Sequence, residues 1–247
     1  MRWLRIKNVV RAVLDLLFPR ICPVCGRTLL VFEEELCIDC LCEVPYTHYW
    51  DWERNPMADK FNFQLNKLIL PGESEPYAYA TALIFYNDLT PYRNIPLRLK
   101  YHSDVRLGRY FARELGKRAA SSPLFADVDM IIPVPLHWTR KWKRGYNQSE
   151  VISRAVSEMT GAPVRTDILY RRRRTRTQTR LEVKEKEANV RDAFTVRRRD
   201  VAPKHILLVD DTFTTGATLS ACQRALRAIF LPSVRISVIT LAYVGEY

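Results

Sequence analysis

Two carboxylates, Asp210 and Asp211, stand side by side after the aliphatic run Ile206-Leu207-Leu208-Val209 and before Thr212-Phe213-Thr214-Thr215-Gly216-Ala217-Thr218. The backbone N–H groups of a small turn can converge on an anion, and a helix start adds the positive end of its dipole. Thr214, Thr215 and Thr218 carry short donors, and Gly216 tolerates close backbone approach. An acidic pair beside such a cradle does not suit a bare anion. It suits a ligand that joins a phosphate to vicinal hydroxyls, or that brings a divalent metal. We therefore expect a ribose held by Asp210 and Asp211, with its 5-phosphate in the turn of Thr212, Thr214, Thr215, Gly216, Ala217 and Thr218. An ordinary strand–turn–helix with a capping threonine is the plainer alternative.

Four of the six cysteines form a second constellation, Cys22-Pro-Val-Cys25 and Cys37-Ile-Asp-Cys40. Two such pairs on short turns, joined by a ribbon hairpin, suit a tetrahedral four-thiolate zinc site. Gly26 follows the first pair, where a knuckle turn needs a permissive backbone. Disulfides are the alternative, as is a redox pair, but nothing else suggests an oxidising compartment or a βαβ redox unit. Cys42 is a fifth thiol nearby and a possible competing ligand, whereas Cys222 reads as core packing.

Cations form the remaining candidates. Lys100 lies in Leu-Lys-Tyr-His at the end of an expected helix. Arg144 belongs to the basic, aromatic loop 140–148, which leaves the carboxyl end of a strand, where open α/β sheets bind ligands. That loop can face pyrophosphate or a nucleic-acid backbone. The segment 171–180 holds the densest positive charge and, without a ligand, would repel itself.

The elements that must position these groups follow from apolar patterning. Residues 206–209 read as a fully buried strand of a parallel sheet that ends at the acidic pair. A helix over 217–230 repeats Leu219, Cys222, Leu226 and Ile229. Further strands are expected at 79–86, 128–134, 164–169 and 233–244, and helices at 92–101, 105–118 and from 148 to about 160. Residues 184–194 should return the chain to the sheet. Residues 2–18 are basic and amphipathic, and are expected to pack on the protein body rather than lie on a membrane. The expected divisions are 1–19 amphipathic helix, 20–48 zinc ribbon, 49–76 irregular connector and 77–247 α/β domain.

The chain has 247 residues, 47% of them hydrophobic, and a formal net charge of +12. Such a balance favours anionic partners, including phosphorylated ligands and nucleic acid. No run of about twenty apolar residues occurs, so no membrane span is expected. Asp15 interrupts the apolar N-terminus and Cys22 follows closely, which argues against a cleaved signal peptide and for the cytoplasm.

Residues 206–218 resemble the phosphoribosyl pyrophosphate (PRPP) signature of type I phosphoribosyltransferases along its whole length. With Cys22–Cys40, Pro133-Val134-Pro135-Leu136, Arg144-Gly145-Tyr146-Asn147-Gln148, Thr175-x-x-Gln178-x-x-Leu181 and Asn189-Val190-x-x-Ala193-Phe194, the chain resembles the ComF family from about residue 10 to 243. The resemblance implies a type I phosphoribosyltransferase fold, a mostly parallel sheet with helices on both faces and a mobile hood, preceded by a small zinc ribbon. It implies structural Zn²⁺, PRPP or ribose 5-phosphate bound with Mg²⁺, a site centred on Asp210 and Asp211, and a link to imported DNA in natural competence. Lys186 stands where the family pattern has Arg, losing the planar fork for bidentate phosphate contact. The amidophosphoribosyltransferase label often given to such chains lacks support, because the chain opens Met1-Arg2-Trp3 without a nucleophilic cysteine. Two readings remain: a transferase of unknown acceptor whose arginine-rich hood closes over PRPP, or a non-catalytic PRPP sensor that contacts nucleic acid through the ribbon and the arginine tract, with single-stranded DNA a candidate partner.

Overall fold

The computed structural model describes residues 14–67, 75–87, 89–172, 193–197 and 201–245. Its strands are β1 (Ala80–Tyr86), β2 (Met130–Pro133), β3 (Leu169–Arg171), β4 (Phe194–Val196), β5 (His205–Phe213) and β6 (Arg235–Val244). Four of them form one parallel sheet in the order β1-β6-β5-β2. The helices are α1 (Ile38–Cys42), α2 (Pro56–Asn66), α3 (Asn94–Tyr101), α4 (Val105–Ser121), α5 (Trp138–Arg144), α6 (Gln148–Thr160) and α7 (Ala217–Arg227). The architecture is α/β, a parallel sheet with helices on both faces, as expected.

Successive strand side chains point to opposite faces, so β5 feeds two cores. Leu207 and Val209 join Leu83, Ile131, Ile239 and Leu241 under α3, α4 and α6. Ile206 and Leu208 join Ala82, Ile132 and Val238 under α2 and α7. Neither face meets water, which is why the strands carry unbroken aliphatic runs. Each fully buried Leu or Ile contributes roughly 1.5–3 kcal/mol. The longest helix, α4, is capped by Asp104, whose carboxylate accepts from Leu107 N at 3.2 Å. It turns Leu107, Phe111, Leu115 and Ala119 inward.

Several expectations need correction. The segment 49–76 is not an irregular connector: it contains the eleven-residue α2. Asn55 caps that helix, accepting from Ala58 N at 2.9 Å, and Pro56 takes the first turn. Met57, Ala58, Phe61 and Leu65 face the sheet. Residues 164–169 supply only a bridge from Val164 to Ile131, and the strand proper is β3. β4 pairs antiparallel with β3 instead of rejoining the main sheet, so the two form a separate ribbon over α7. The basic loop 140–148 begins as helix α5. Its Trp138 and Trp142 lie four residues apart, a helical spacing that charge density masked. β5 runs on through both aspartates because the ten-residue β6 keeps pairing with it, Asp210 opposite Thr240 and Phe213 opposite Tyr243. α7 ends at Arg227, three residues early.

Of the N-terminal segment, residues 1–13 lie outside the described residues. Leu14, Leu16, Leu17 and Phe18 are exposed rather than packed on the body. Asp15 ties the segment down instead, accepting from Arg20 at 2.8 Å on both oxygens. Most of the arginine tract, the Thr175–Leu181 motif, Lys186 and Asn189-Val190 lie outside the described residues too. No helix among the described residues is long and apolar enough to cross a membrane.

Candidate functional site

The carboxyl end of β5 brings Asp210 and Asp211 to the start of α6 and the end of α3. Asp211 is buried. The Lys100 ammonium lies 3.3 Å from Asp211 Oδ2, and Gln148 Nε2 donates to the same oxygen at 3.4 Å. Ser149 Oγ donates to Asp210 Oδ1 at 2.9 Å, where the Asp211 N–H also donates at 2.9 Å. Lys100 was expected at the ligand and is at the acids.

Electrostatics sharpen this picture. Burial and then the Asp211 charge push the Asp210 carboxyl up to about 7, against the downward pull of Asp211 N–H, Ser149 and Lys100. Burial pulls the Lys100 ammonium down, but Asp211 and Asp210 outweigh it and hold it above its ordinary value. Arg171, on β3, is lowered by burial and by Arg140, and it feels the Asp210 charge. The two acids thus share a partly desolvated, cation-flanked recess.

The local sequence explains how α6 gets there. β2 hands over to Val134, whose N–H donates to Val209 O at 2.9 Å. Gly145 ends α5 at φ 83°, a left-handed conformation. The Tyr146 hydroxyl then donates to Leu99 O, fastening α3 beside the loop. Asn147 donates to Val134 O at 3.0 Å while its own side-chain oxygen accepts from Ser149 N at 3.2 Å, capping α6. Gln148 and Ser149 therefore open the helix at the acids. Neither was a predicted site residue. The signal was available: three polar residues, Asn-Gln-Ser, at a helix start after a buried strand. Arg144 is placed differently, its guanidinium 5.7 Å from the Tyr101 ring centroid. No ion pair joins it to either aspartate among the described residues.

The turn after β5 leaves Thr214 and Thr215 exposed and Thr212, Ala217 and Thr218 half-buried. Gly216 sits at φ 80°, and a Cβ there would lie 2.8 Å from the Phe213 ring. Phe213 is itself wedged between Phe61, edge-on, and the tilted ring of Tyr243, so it cannot easily yield. Ser220 N donates to Gly216 O at 2.8 Å, starting α7. The first N–H groups of α7, which have no intrahelical carbonyl, adjoin the threonine hydroxyls.

The four predicted zinc ligands also come together. The sulfurs of Cys22, Cys25, Cys37 and Cys40 all lie within 4.8 Å of one another, and Cys25 and Cys37 are 3.6 Å apart. A tetrahedron with Zn–S of about 2.3 Å has an S···S edge of about 3.8 Å, so the cluster fits a four-thiolate zinc ion. None of the six cysteines is in a disulfide. The first pair sits on a tight turn with Gly26 at φ 77° and Gly26 N donating to Cys22 O at 3.0 Å. The second pair opens α1, a helical turn rather than half of a hairpin. The buried Glu33 braces the gap, accepting from Leu30 N, Ile38 N and Arg27. Burial pushes the thiols of Cys37 and Cys40 up. Burial acts likewise on Cys22, but N–H donors from Cys37, Cys25 and Val24 bring it down to about 7. Cys42 is exposed and outside the cluster, and Cys222 is core, as expected.

No family model matches the chain. Competence protein F of Haemophilus influenzae is 31% identical over 147 residues, covering 56% of this chain and 63% of that protein. The DNA utilization protein YhgH of Salmonella typhi is 30% identical over 155 residues, covering 58% of this chain and 65% of that protein. Competence protein ComFC of Bacillus subtilis is 23% identical over 218 residues, covering 87% of this chain and 75% of that protein. The chain thus spans a little under two thirds of the length of the first two relatives. These similarities make the chain a homologue of competence protein F, ComFC and YhgH, and its four-cysteine cluster fits an N-terminal zinc ribbon.

Proposed function

We propose that the chain binds PRPP, or ribose 5-phosphate, at Asp210–Thr218 and acts as a phosphoribosyltransferase-like protein in the use of taken-up DNA. One observation carries the reading. Two adjoining carboxylates at a strand's carboxyl end, one gripped by Lys100 and the other by Ser149, lie next to a Thr/Gly turn that opens a helix. Asp210 and Asp211 would accept the ribose hydroxyls. The turn and the start of α7 would hold the 5-phosphate. Lys100 would offset the charge of the leaving pyrophosphate, so catalysis rests on positioning and charge neutralisation.

Mg²⁺ fits the donor set in one respect: an aspartate raised to about 7 beside a second carboxylate is relieved by a cation. Bound there, it would supply charge compensation for the pyrophosphate. The link to DNA rests on the names competence protein and DNA utilization protein carried by the relatives. A cytoplasmic setting suits six free thiols, four of them grouped for a metal. We divide the chain into the ribbon (20–48) and the α/β unit (77–247), with α2 belonging to the second and the ribbon sharing a core with it.

Calorimetry with PRPP and Mg²⁺ tests the reading. Asp210→Asn with Asp211→Asn should weaken binding by roughly 1.5–3 kcal/mol for each charged hydrogen bond lost. Unchanged affinity in the double variant defeats it. Pyrophosphate release in a screen of nucleobases, amines and oligonucleotides would then separate a transferase from a sensor.

A further inference from the structure

Helix α5 buries none of its seven residues. A helix that contributes nothing to the core is held in place for what it displays. Trp138 is 72% exposed and Trp142 87% exposed. Spaced four residues apart, they share one face with backbones about 6 Å apart along the axis. Between and after them stand Arg140, Lys141, Lys143 and Arg144, with no acidic residue in the helix. A third open ring, Tyr101, lies at the end of α3 under the Arg144 guanidinium. The lead-in residue His137 packs its ring 5.7 Å from that of Trp138.

Large aromatic rings left in water are unfavourable unless something covers them. Rings interleaved with cations and free of aliphatic residues match unpaired bases on a phosphate backbone, because every base has a face to stack and every linkage a charge. Duplex DNA hides its bases. A lipid surface calls for a longer helix with an aliphatic face, and α5 has neither.

We propose that Trp138, Trp142 and Tyr101, with Lys141, Lys143 and Arg144, form a stacking platform for single-stranded nucleic acid. It sits on the rim of the acidic recess: Tyr101 follows Lys100, and α5 runs through Gly145–Asn147 into Gln148 and Ser149. A strand on the platform reaches the edge of that recess. The proposal uses no residue of the cysteine module or of the segment 173–180, and it does not require the sugar-phosphate reading to hold.

The test uses the full zinc-loaded chain and fluorescein-labelled (dT)20, read by anisotropy across a salt series. Stacking on a ring corresponds to roughly five- to 150-fold in affinity. Trp138→Ala with Trp142→Ala should therefore lose at least tenfold at every salt concentration, while Trp138→Phe with Trp142→Phe keeps most of the affinity. Lys143→Gln should instead flatten the slope of log K against log salt by about 0.7, one phosphate's worth, whereas Lys141, already 3.6 Å from Glu150, should contribute less. The exposure of these side chains lets the variants fold, which circular dichroism verifies. Asp210→Asn with Asp211→Asn removes two negative charges beside the strand and should not weaken (dT)20 binding, so failure of the platform and failure of the acidic site are told apart. Wild-type affinity in the double alanine variant overturns the proposal. So does duplex bound as tightly as single strand, or binding to phosphatidylglycerol vesicles without binding to the oligonucleotide.

Discussion

Asp210 offers a test in which ligand affinity and fold stability move in opposite directions with pH. Its carboxyl is raised to about 7, first by burial and then by Asp211. A ligand donating hydroxyls, or bringing a cation, takes the ionised form. The ionised fraction is about 9% at pH 6 and about 91% at pH 8, so affinity should rise about tenfold across that window, ~1.4 kcal/mol. Binding should release a proton, visible as a dependence of calorimetric heat on buffer ionisation enthalpy. The sugar phosphate titrates near the same range, so the reference is Asp210→Asn, which keeps the ligand's own profile and lacks the protein's.

Stability supplies the opposite sign. An unfolded Asp gives up its proton near ~3.9, whereas folded Asp210 keeps it until about 7. The raised carboxyl therefore contributes stability at low pH that is lost as pH climbs through that interval. Ligand-free Asp210→Asn should melt above wild type at pH 8, and the gap should shrink towards pH 4. Parallel affinity profiles for wild type and Asp210→Asn, together with equal melting at pH 8, would refute the assignment of a perturbed, ligand-facing Asp210.

Three further outcomes follow from particular contacts. Native mass spectrometry should find about one zinc per chain; Cys37→Ser should abolish it, lower the melting temperature, and weaken PRPP binding as well, while Cys42→Ser changes none of these. Gly216→Ala meets both the left-handed φ of 80° and the Phe213 ring; it should lose about 1–3 kcal/mol in urea denaturation and blunt ligand affinity. His205 is buried with Nδ1 2.6 Å from Asp127 and Nε2 2.7 Å from Ser237. Burial holds its pKa below the usual value despite Asp127, so stability should fall as pH drops through about 6.5 and below. The Asp210→Asn background isolates that term, and an unchanged melting temperature between pH 7 and 5 there would count against it.

The parts of the site that could be read from residues alone were those made by one local stretch. Val209-Asp210-Asp211 and Thr214–Thr218 form strand, acids and turn within a few residues, and each Cys-x-x-Cys pair closes its own knuckle. What could not be read was contact between distant segments. Gln148 and Ser149 reach the acids only because Asn147 ties the loop to Val134. Arg144 shares a motif with them, but Gly145 turns the chain and leaves its guanidinium on Tyr101. The length of β5 was misjudged because ladder pairing is set by the partner strand, and β6 continues to Val244. α2 is hard to read from residues alone because the aromatic and charged residues around Trp50, Trp52 and Asn55-Pro56 obscure a cap followed by Met57, Phe61 and Leu65 at helical spacing.

The metal cluster and the acidic recess are not independent, although 59 residues lie between Cys40 and Lys100 and 169 between Cys40 and Asp210. The Tyr92 hydroxyl donates to Cys40 O at 2.7 Å, and Asn94 donates to Pro23 O at 2.9 Å. These two residues stand just before and at the start of α3. Ile95 and Leu99 then pack in one core with Cys22, Leu29 and Leu36. At the far end of the same helix, Tyr146 holds Leu99 O, and the next residue is Lys100, 3.3 Å from Asp211. An eight-residue helix is too short to be stable alone in water, so its position is borrowed from what clamps it. One clamp is the α6 loop and the other is the cysteine module. Three buried thiols and the exposed Cys25 crowd within 4.8 Å of one another, two of them pushed upward by burial, and a bound cation would hold such a cluster together. Loss of zinc should therefore loosen α3 at its first turn and displace Lys100 at its last. That is the physical ground for expecting Cys37→Ser to weaken a site to which it contributes no atom.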